Sequence, residues 1–159
     1  MSPVELALAV SLGGSAVAAF TPTFLREVQA SRTTEAVDGL AAVGAGALAY
    51  AEGRELAASF PAPAPLTPAD VPRGVTVTDP PGTWDTPTWQ ALQFRLDRPH
   101  RYAYRFDVVP EPGRIWFDAT AHGDLNGDGI LSTFQISGER RLDGTTELIP
   151  GLHVFREVE

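Results

Sequence analysis

At 159 residues and a formal net charge of −8, the chain has room for one ordinary domain plus an extended appendage. The acidic balance argues against nucleic acid as primary partner, because DNA and RNA phosphates need a broad basic surface. With no cysteine, thiol catalysis, disulfide staples and thiolate metal sites are excluded.

The charge is unevenly placed. No ionisable side chain lies between Glu5 and Arg26, so Leu6 to Leu25 is an uncharged stretch of 20 residues. A helix of that length rises about 30 Å, the thickness of a bilayer's hydrocarbon core. Leu6, Leu8, Val10, Leu12, Val17 and Phe20 surround it with apolar groups on every side, as in a helix that sits in lipid or inside an assembly. An acid, Glu5, stands where a secretory signal would carry positive charge, so the segment reads as retained. The pattern predicts one long helix from Pro3 to about Ser59. Residues 1–24 form its transmembrane or assembly half, and residues 25–59 an amphipathic half. In the second half Val37, Leu40, Ala41, Gly44, Leu48 and Ala51 recur at helical spacing and supply a stripe to a core. Gly13, Gly14 and Pro22 weaken the first half. Each glycine costs about 1 kcal/mol against alanine, and a proline in a helix interior about 3 kcal/mol.

Residues 60–87 carry eight prolines, from Pro61 to Pro87, and read as an extended connector. A short helix is expected over Thr88 to Phe94. Strand signals follow. Tyr102, Tyr104, Phe106 and Val108 alternate with polar partners, and a Pro110-Glu111-Pro112-Gly113 turn leads to Arg114–His122. Ile130–Ser137 and a shorter Leu152–Val158 complete the set. The expected fold class is α+β, a long N-terminal helix packed on a small antiparallel sheet, with the sheet head over residues 88–159.

Glu5 is the most informative position. A carboxylate at the head of an apolar segment is costly unless it has a specific partner. A place at the headgroup level, or at the positive end of the helix dipole, is the plainer reading. The opening Met1-Ser2-Pro3-Val4-Glu5-Leu6, then Gly14, Pro22, Phe24-Leu25, Glu35-Ala36 and Leu40, resembles the N-terminal region of mature type IV pilins in register. Pro3 stands where that family usually has an aliphatic residue.

The resemblance implies that Met1 is the processed, N-methylated first residue. It implies that Glu5 neutralises the N-terminal amine of an adjacent subunit while N-terminal helices pack in a stagger, and that the stretch around Gly14 and Pro22 loses helicity in the filament. It further implies a homopolymer, or a mixture with other pilins, built by pilus assembly machinery. Each subunit would be held in the inner membrane before assembly and on the cell surface afterwards, in motility, adhesion or secretion. A pseudopilin of a type II secretion system is the near alternative, and a membrane-anchored monomeric binding domain the distant one.

A second pattern is Asp124-Leu125-Asn126-Gly127-Asp128-Gly129-Ile130-Leu131-Ser132. Asp124, Asn126 and Asp128 place oxygen donors at alternate positions, followed by the Ile130 carbonyl and Ser132, like the first half of a calcium loop. Gln135 occupies the position of the EF-hand's bidentate glutamate, and no helices flank the loop, so an EF-hand is excluded. A tight turn built on Asn-Gly and Asp-Gly stands equally open. Three oxygen donors at this spacing exceed what a turn requires, which tilts the reading to calcium as cofactor, and pilin-like proteins often carry such loops between late strands.

His100, His122 and His153 have no metal-ligand spacing and read as surface or strand residues. Trp84, Trp89 and Trp116 read as core. Arg95, Arg98, Arg101 and Arg105 form a basic cluster, suited either to a solvated strand edge or to an acidic neighbour. With no nucleotide-binding glycine fingerprint, P-loop or nucleophile elbow, the sequence reads as a non-enzymatic structural protein.

Overall fold

The aromatic-rich alternating segments build a five-stranded antiparallel sheet of order β1-β2-β3-β4-β5, in a computed structural model that describes residues 33–156. In chain order the elements are helix α1 (33–51), strand β1 (Ala64–Thr67), the short helix α2 (Pro87–Ala91), and strands β2 (Tyr102–Glu111), β3 (Arg114–Gly123), β4 (Ser132–Arg141) and β5 (Thr146–Phe155). A single 3-10 turn, Leu56–Ala58, follows α1.

Period two is cleanest in β3, where Ile115, Phe117, Ala119 and Ala121 are buried and the residues between them are not. Pairing of β2 with β3 runs without interruption from Tyr102↔Gly123 to Glu111↔Arg114. The connecting Pro112-Gly113 turn needs the left-handed conformation that Gly113 adopts at φ +83°, which glycine takes at no steric cost. On the inward face, Phe106 stacks on Phe117 at 5.1 Å, Phe60 meets the edge of Phe117 at 4.9 Å, and Tyr102 meets Phe134 at 5.8 Å. A second aromatic group joins Trp84, Trp89, Phe94 and Tyr104, with ring centroids 5.1–6.3 Å apart. Each such side chain contributes about 1.5–3 kcal/mol by leaving water.

Helix α1 lies on this inward face. Its alanines favour the helix, and Ala36, Leu40, Val43, Ala47 and Ala51 are fully buried. Small residues let it approach closely. A Cβ added at Gly46 would lie 2.0 Å from the carbonyl oxygen of Leu92, the residue that ends α2, and one at Gly39 would lie 2.1 Å from the Tyr104 hydroxyl oxygen. The first turn is tied down as well. The Arg101 N–H donates to Glu35 Oε1 at 2.7 Å, and the Tyr104 hydroxyl donates to the Glu35 carbonyl at 3.2 Å. Burial, and then the nearby Glu35 charge, push the Tyr104 phenol far above the usual tyrosine range.

The expected fold class is corrected. The described residues are mostly β, and the helix among them covers 33–51, well short of Ser59. A long N-terminal helix on a small sheet is therefore not what they hold. The sheet is larger than expected because β2, β3, β4 and β5 each run to 10 residues, and β1 adds an edge from within the proline-rich connector. The expected short helix is also shorter, Pro87–Ala91, with Pro87 at its start, where a missing N–H costs nothing. Among the described residues no helix is long and apolar enough to cross a membrane; the expected span, Leu6 to Leu25, lies outside them. The predicted stripe of α1 is shifted too. Val37 and Ala41 face outward, and the buried positions are Ala36, Gly39, Leu40, Val43, Gly44, Ala47 and Ala51.

Candidate functional site

Strands β3 and β4 are joined by the Asp124 loop, and its side chains do turn inward on one another. Asp124 is 1% exposed. Its Oδ1 accepts the Gly127 N–H at 2.7 Å and its Oδ2 the Gly129 N–H at 3.0 Å. Asn126 Oδ1 accepts from the Asp128 N–H at 3.0 Å, and Asp128 Oδ1 from the Ile130 N–H at 2.7 Å. The Asn126 amide donates to Asp128 Oδ2 at 3.1 Å. The loop is also fastened to the connector, because the Gly74 N–H donates to the Asp124 carbonyl at 2.7 Å. A buried carboxylate is tolerated only when its lone pairs are satisfied, and here backbone N–H groups satisfy them.

Three of the five expected ligand residues, Asp124, Asn126 and Asp128, are thus gathered in one loop. Ser132 belongs to the sheet, where it pairs with Gly123 and its buried hydroxyl donates to the Gly123 carbonyl at 3.0 Å. Ile130 is 38% exposed. The gathered donors are hard oxygens of the kind calcium accepts, and an oxygen that takes one N–H keeps a second lone pair. No group of three or more His, Cys, Asp or Glu side chains able to hold a metal occurs among the described residues. The assembly residues Met1, Glu5, Gly14 and Pro22 lie outside the described residues.

Two features were not foreseen. His100 is not a surface residue: its side chain is 2% exposed, and it forms a buried node with Asp79, itself 6% exposed. His100 Nε2 lies 2.9 Å from Asp79 Oδ2, His100 Nδ1 donates to the Tyr102 carbonyl at 2.9 Å, and Trp84 Nε1–H donates to the same Asp79 oxygen at 2.7 Å. The partners lie 21 residues apart, a separation with no periodicity to betray it. The arginine cluster is also spent largely within the chain. Arg95 pairs with Asp97 at 2.7 Å, Arg105 with Asp107 at 2.6 Å, and Arg101 lies 3.9 Å from Glu35.

The sheet's other face is polar. Asp118 accepts from Gln135 and Ser137, and Glu139 is buried between Arg114 and Arg141. Trp116, half-buried, lies under the Arg114 guanidinium at 5.5 Å, away from the core that holds Trp84 and Trp89. On this face His122 Nδ1 sits 2.9 Å from Thr133 Oγ1. Burial, and then the Arg105 charge, lower the His122 imidazole below its ordinary range. A lowered folded value means that the unfolded chain binds the proton more readily. The associated stability is complete above the unfolded value, about 6.5, and is lost as pH falls through the folded one. The urea midpoint should therefore fall between about pH 7.5 and about pH 5, and His122→Gln should flatten part of that fall. An unchanged slope in the variant would remove His122 from the explanation.

Comparison of the chain with known protein families, with curated proteins and with solved structures finds no match.

Proposed function

We propose that the chain is a structural subunit of a type IV pilus-like filament, assembled through its N-terminal segment with Glu5 paired to the N-terminal amine of a neighbouring copy. The observation that carries this reading is the union of two parts. A lone acid precedes 20 uncharged residues, and the next described element, α1, has its buried face sunk in the head's core. The uncharged segment and the head are parts of one chain, joined by way of α1. Glu5 sets register in this reading, since stripping one partner from a buried ion pair costs about 3–5 kcal/mol. Apolar burial supplies the bulk of the driving force. The inner membrane holds the subunit before assembly, and the cell surface presents the filament afterwards.

The composition offers a clean test. All 12 Lys and Arg positions are arginines, so no lysine amine competes with that of Met1, the first residue in this reading. Carbodiimide treatment of native filaments should join Met1 of one copy to Glu5 of the next. Glu5→Ala should abolish both that cross-link and the filaments seen by electron microscopy, while the head keeps its urea midpoint. Normal filaments from Glu5→Ala would refute the pairing.

The same reading gives the head a calcium ion held by Asp124, Asn126 and Asp128. The gathering of these three oxygen-bearing side chains supports it. Calcium at a hundredfold excess over its Kd should add about 2.7 kcal/mol of stability, and Asp128→Ala should abolish the gain. Identical melting in calcium and in chelator would leave the loop as a turn held by its own backbone.

A further inference from the structure

A cavity of about 270 Å³ opens beside the Asp79–His100 node, and Asp79 and Trp84 stand in its lining. The Asp79 side chain is 6% exposed. Its Oδ2 faces both the Trp84 Nε1–H at 2.7 Å and His100 Nε2 at 2.9 Å. Its Oδ1 has no partner among the described residues, and it is not shut off from solvent. A carboxylate oxygen can accept two hydrogen bonds, so a deeply placed acceptor is left open toward the cavity.

The surrounding chain holds a second acceptor at the rim. Residues 80–82 form a turn in which the Thr83 N–H and Oγ1 donate to the Pro80 carbonyl at 3.3 and 2.8 Å, and the Asp85 N–H donates to the Gly82 carbonyl at 3.1 Å. That turn brings the exposed Asp85 to the cavity, where its carboxylate has no ion pair or hydrogen bond among the described residues. Asp97 also borders the cavity, but Arg95 engages it at 2.7 Å. Pro80, Pro81, Trp84 and Leu96 supply apolar wall between the two open acids.

We propose that this cavity binds a guanidinium group, which donates to Asp79 Oδ1 at its base and to Asp85 at its rim. The site is independent of the filament reading. Both open groups are acceptors, so the ligand must donate, and a guanidinium carries five N–H donors in one plane that can serve two acceptors together. It is more weakly hydrated than an ammonium, so it loses less in reaching a buried carboxylate, and its flat faces pack against aromatic and apolar walls. The volume falls just below the range of about 300–1,000 Å³ that takes drug-sized ligands, which suits a compact head group. A small molecule and an arginine side chain present the same chemistry here.

The test titrates the full chain, in detergent micelles, with methylguanidinium. It follows the Trp84 indole N–H signal by nuclear magnetic resonance, because that proton sits on the other oxygen of the Asp79 carboxylate. The signal should move and saturate at millimolar methylguanidinium, while that of Trp116, on the polar sheet face, stays in place. Asp85→Asn, at the exposed rim, should keep the urea midpoint and weaken binding about tenfold, as expected for one lost charge-assisted hydrogen bond. Asp79→Asn, which can turn an amide donor toward the ligand, should weaken it further. Tighter binding of glycyl-arginyl-glycine amide than of methylguanidinium assigns the site to an arginine side chain, and the reverse order to a small molecule. No shift of the Trp84 signal would overturn the proposal, as would an equal shift with tetramethylammonium or calcium, or unchanged affinity in Asp85→Asn. None of these results touches the filament reading, which Glu5→Ala decides.

Discussion

Asp79→Ala should destabilise the head by about 1–3 kcal/mol for each buried group left without its hydrogen-bond partner. Two groups depend on one carboxylate oxygen: the Trp84 indole N–H at 2.7 Å and His100 Nε2 at 2.9 Å. Both would face an emptied and water-poor space, because His100 is 2% exposed and Trp84 6%. Against a total stability of about 5–15 kcal/mol for a domain, the loss is a large share of the whole. It should appear as a lower urea midpoint, with Trp84 fluorescence shifted to the red as its ring meets solvent. Asp79→Asn keeps an acceptor and the volume, and should cost less than half as much. Equal midpoints for wild type and Asp79→Ala would show that the node adds nothing to the fold.

Gly46→Ala should reverse the ordinary helix rule. In a free helix the change gains about 0.5–1 kcal/mol. Here the new methyl would lie 2.0 Å from the Leu92 carbonyl oxygen, a backbone atom at the end of α2. Relief requires α1 or α2 to move, and Trp89 on α2 is fully buried, so the shift spreads through the aromatic group. Forced overpacking costs about 1–3 kcal/mol, and a net loss of about 2 kcal/mol is expected. Urea unfolding decides the sign. A variant more stable than wild type would mean that the two helices do not touch as described.

The sheet was legible where one face is apolar and the other polar. Tyr102, Tyr104 and Phe106 announced β2, and alternation in β3 is nearly perfect, because burial on one side imposes period two on the side chains. β5 was legible only at its end. Leu148, Ile149 and Leu152 straddle Pro150-Gly151, and the register with β4 shifts between Gln135 and Ser137, so the alternation breaks where the strand is widest open. The helix was overextended because nothing in its composition marks its end at residue 51. Only Gly53, in the left-handed region at φ +69°, gives the stop that a helix C-terminus favours. Alternate oxygens in a glycine-rich stretch marked out the Asp124 loop, whose side chains turn back on its own backbone. Its backbone partners were invisible, because main-chain N–H groups carry no sequence signature. The Asp79–His100 node was missed for a related reason: two residues far apart in the chain met only because the connector folded across the start of β2.

The close seating of α1 has a geometric corollary. Gly39 abuts Tyr104, Gly44 abuts Ile136 and Leu148, and Gly46 abuts Leu92; Gly39 and Gly46, seven residues apart, share one side of the helix, so the head closes on it from two sides as a keyway grips a shaft. Neither sliding nor spinning is open to it. One residue added ahead of Gly39 would swing the first turn by about 100° and advance it about 1.5 Å against the head.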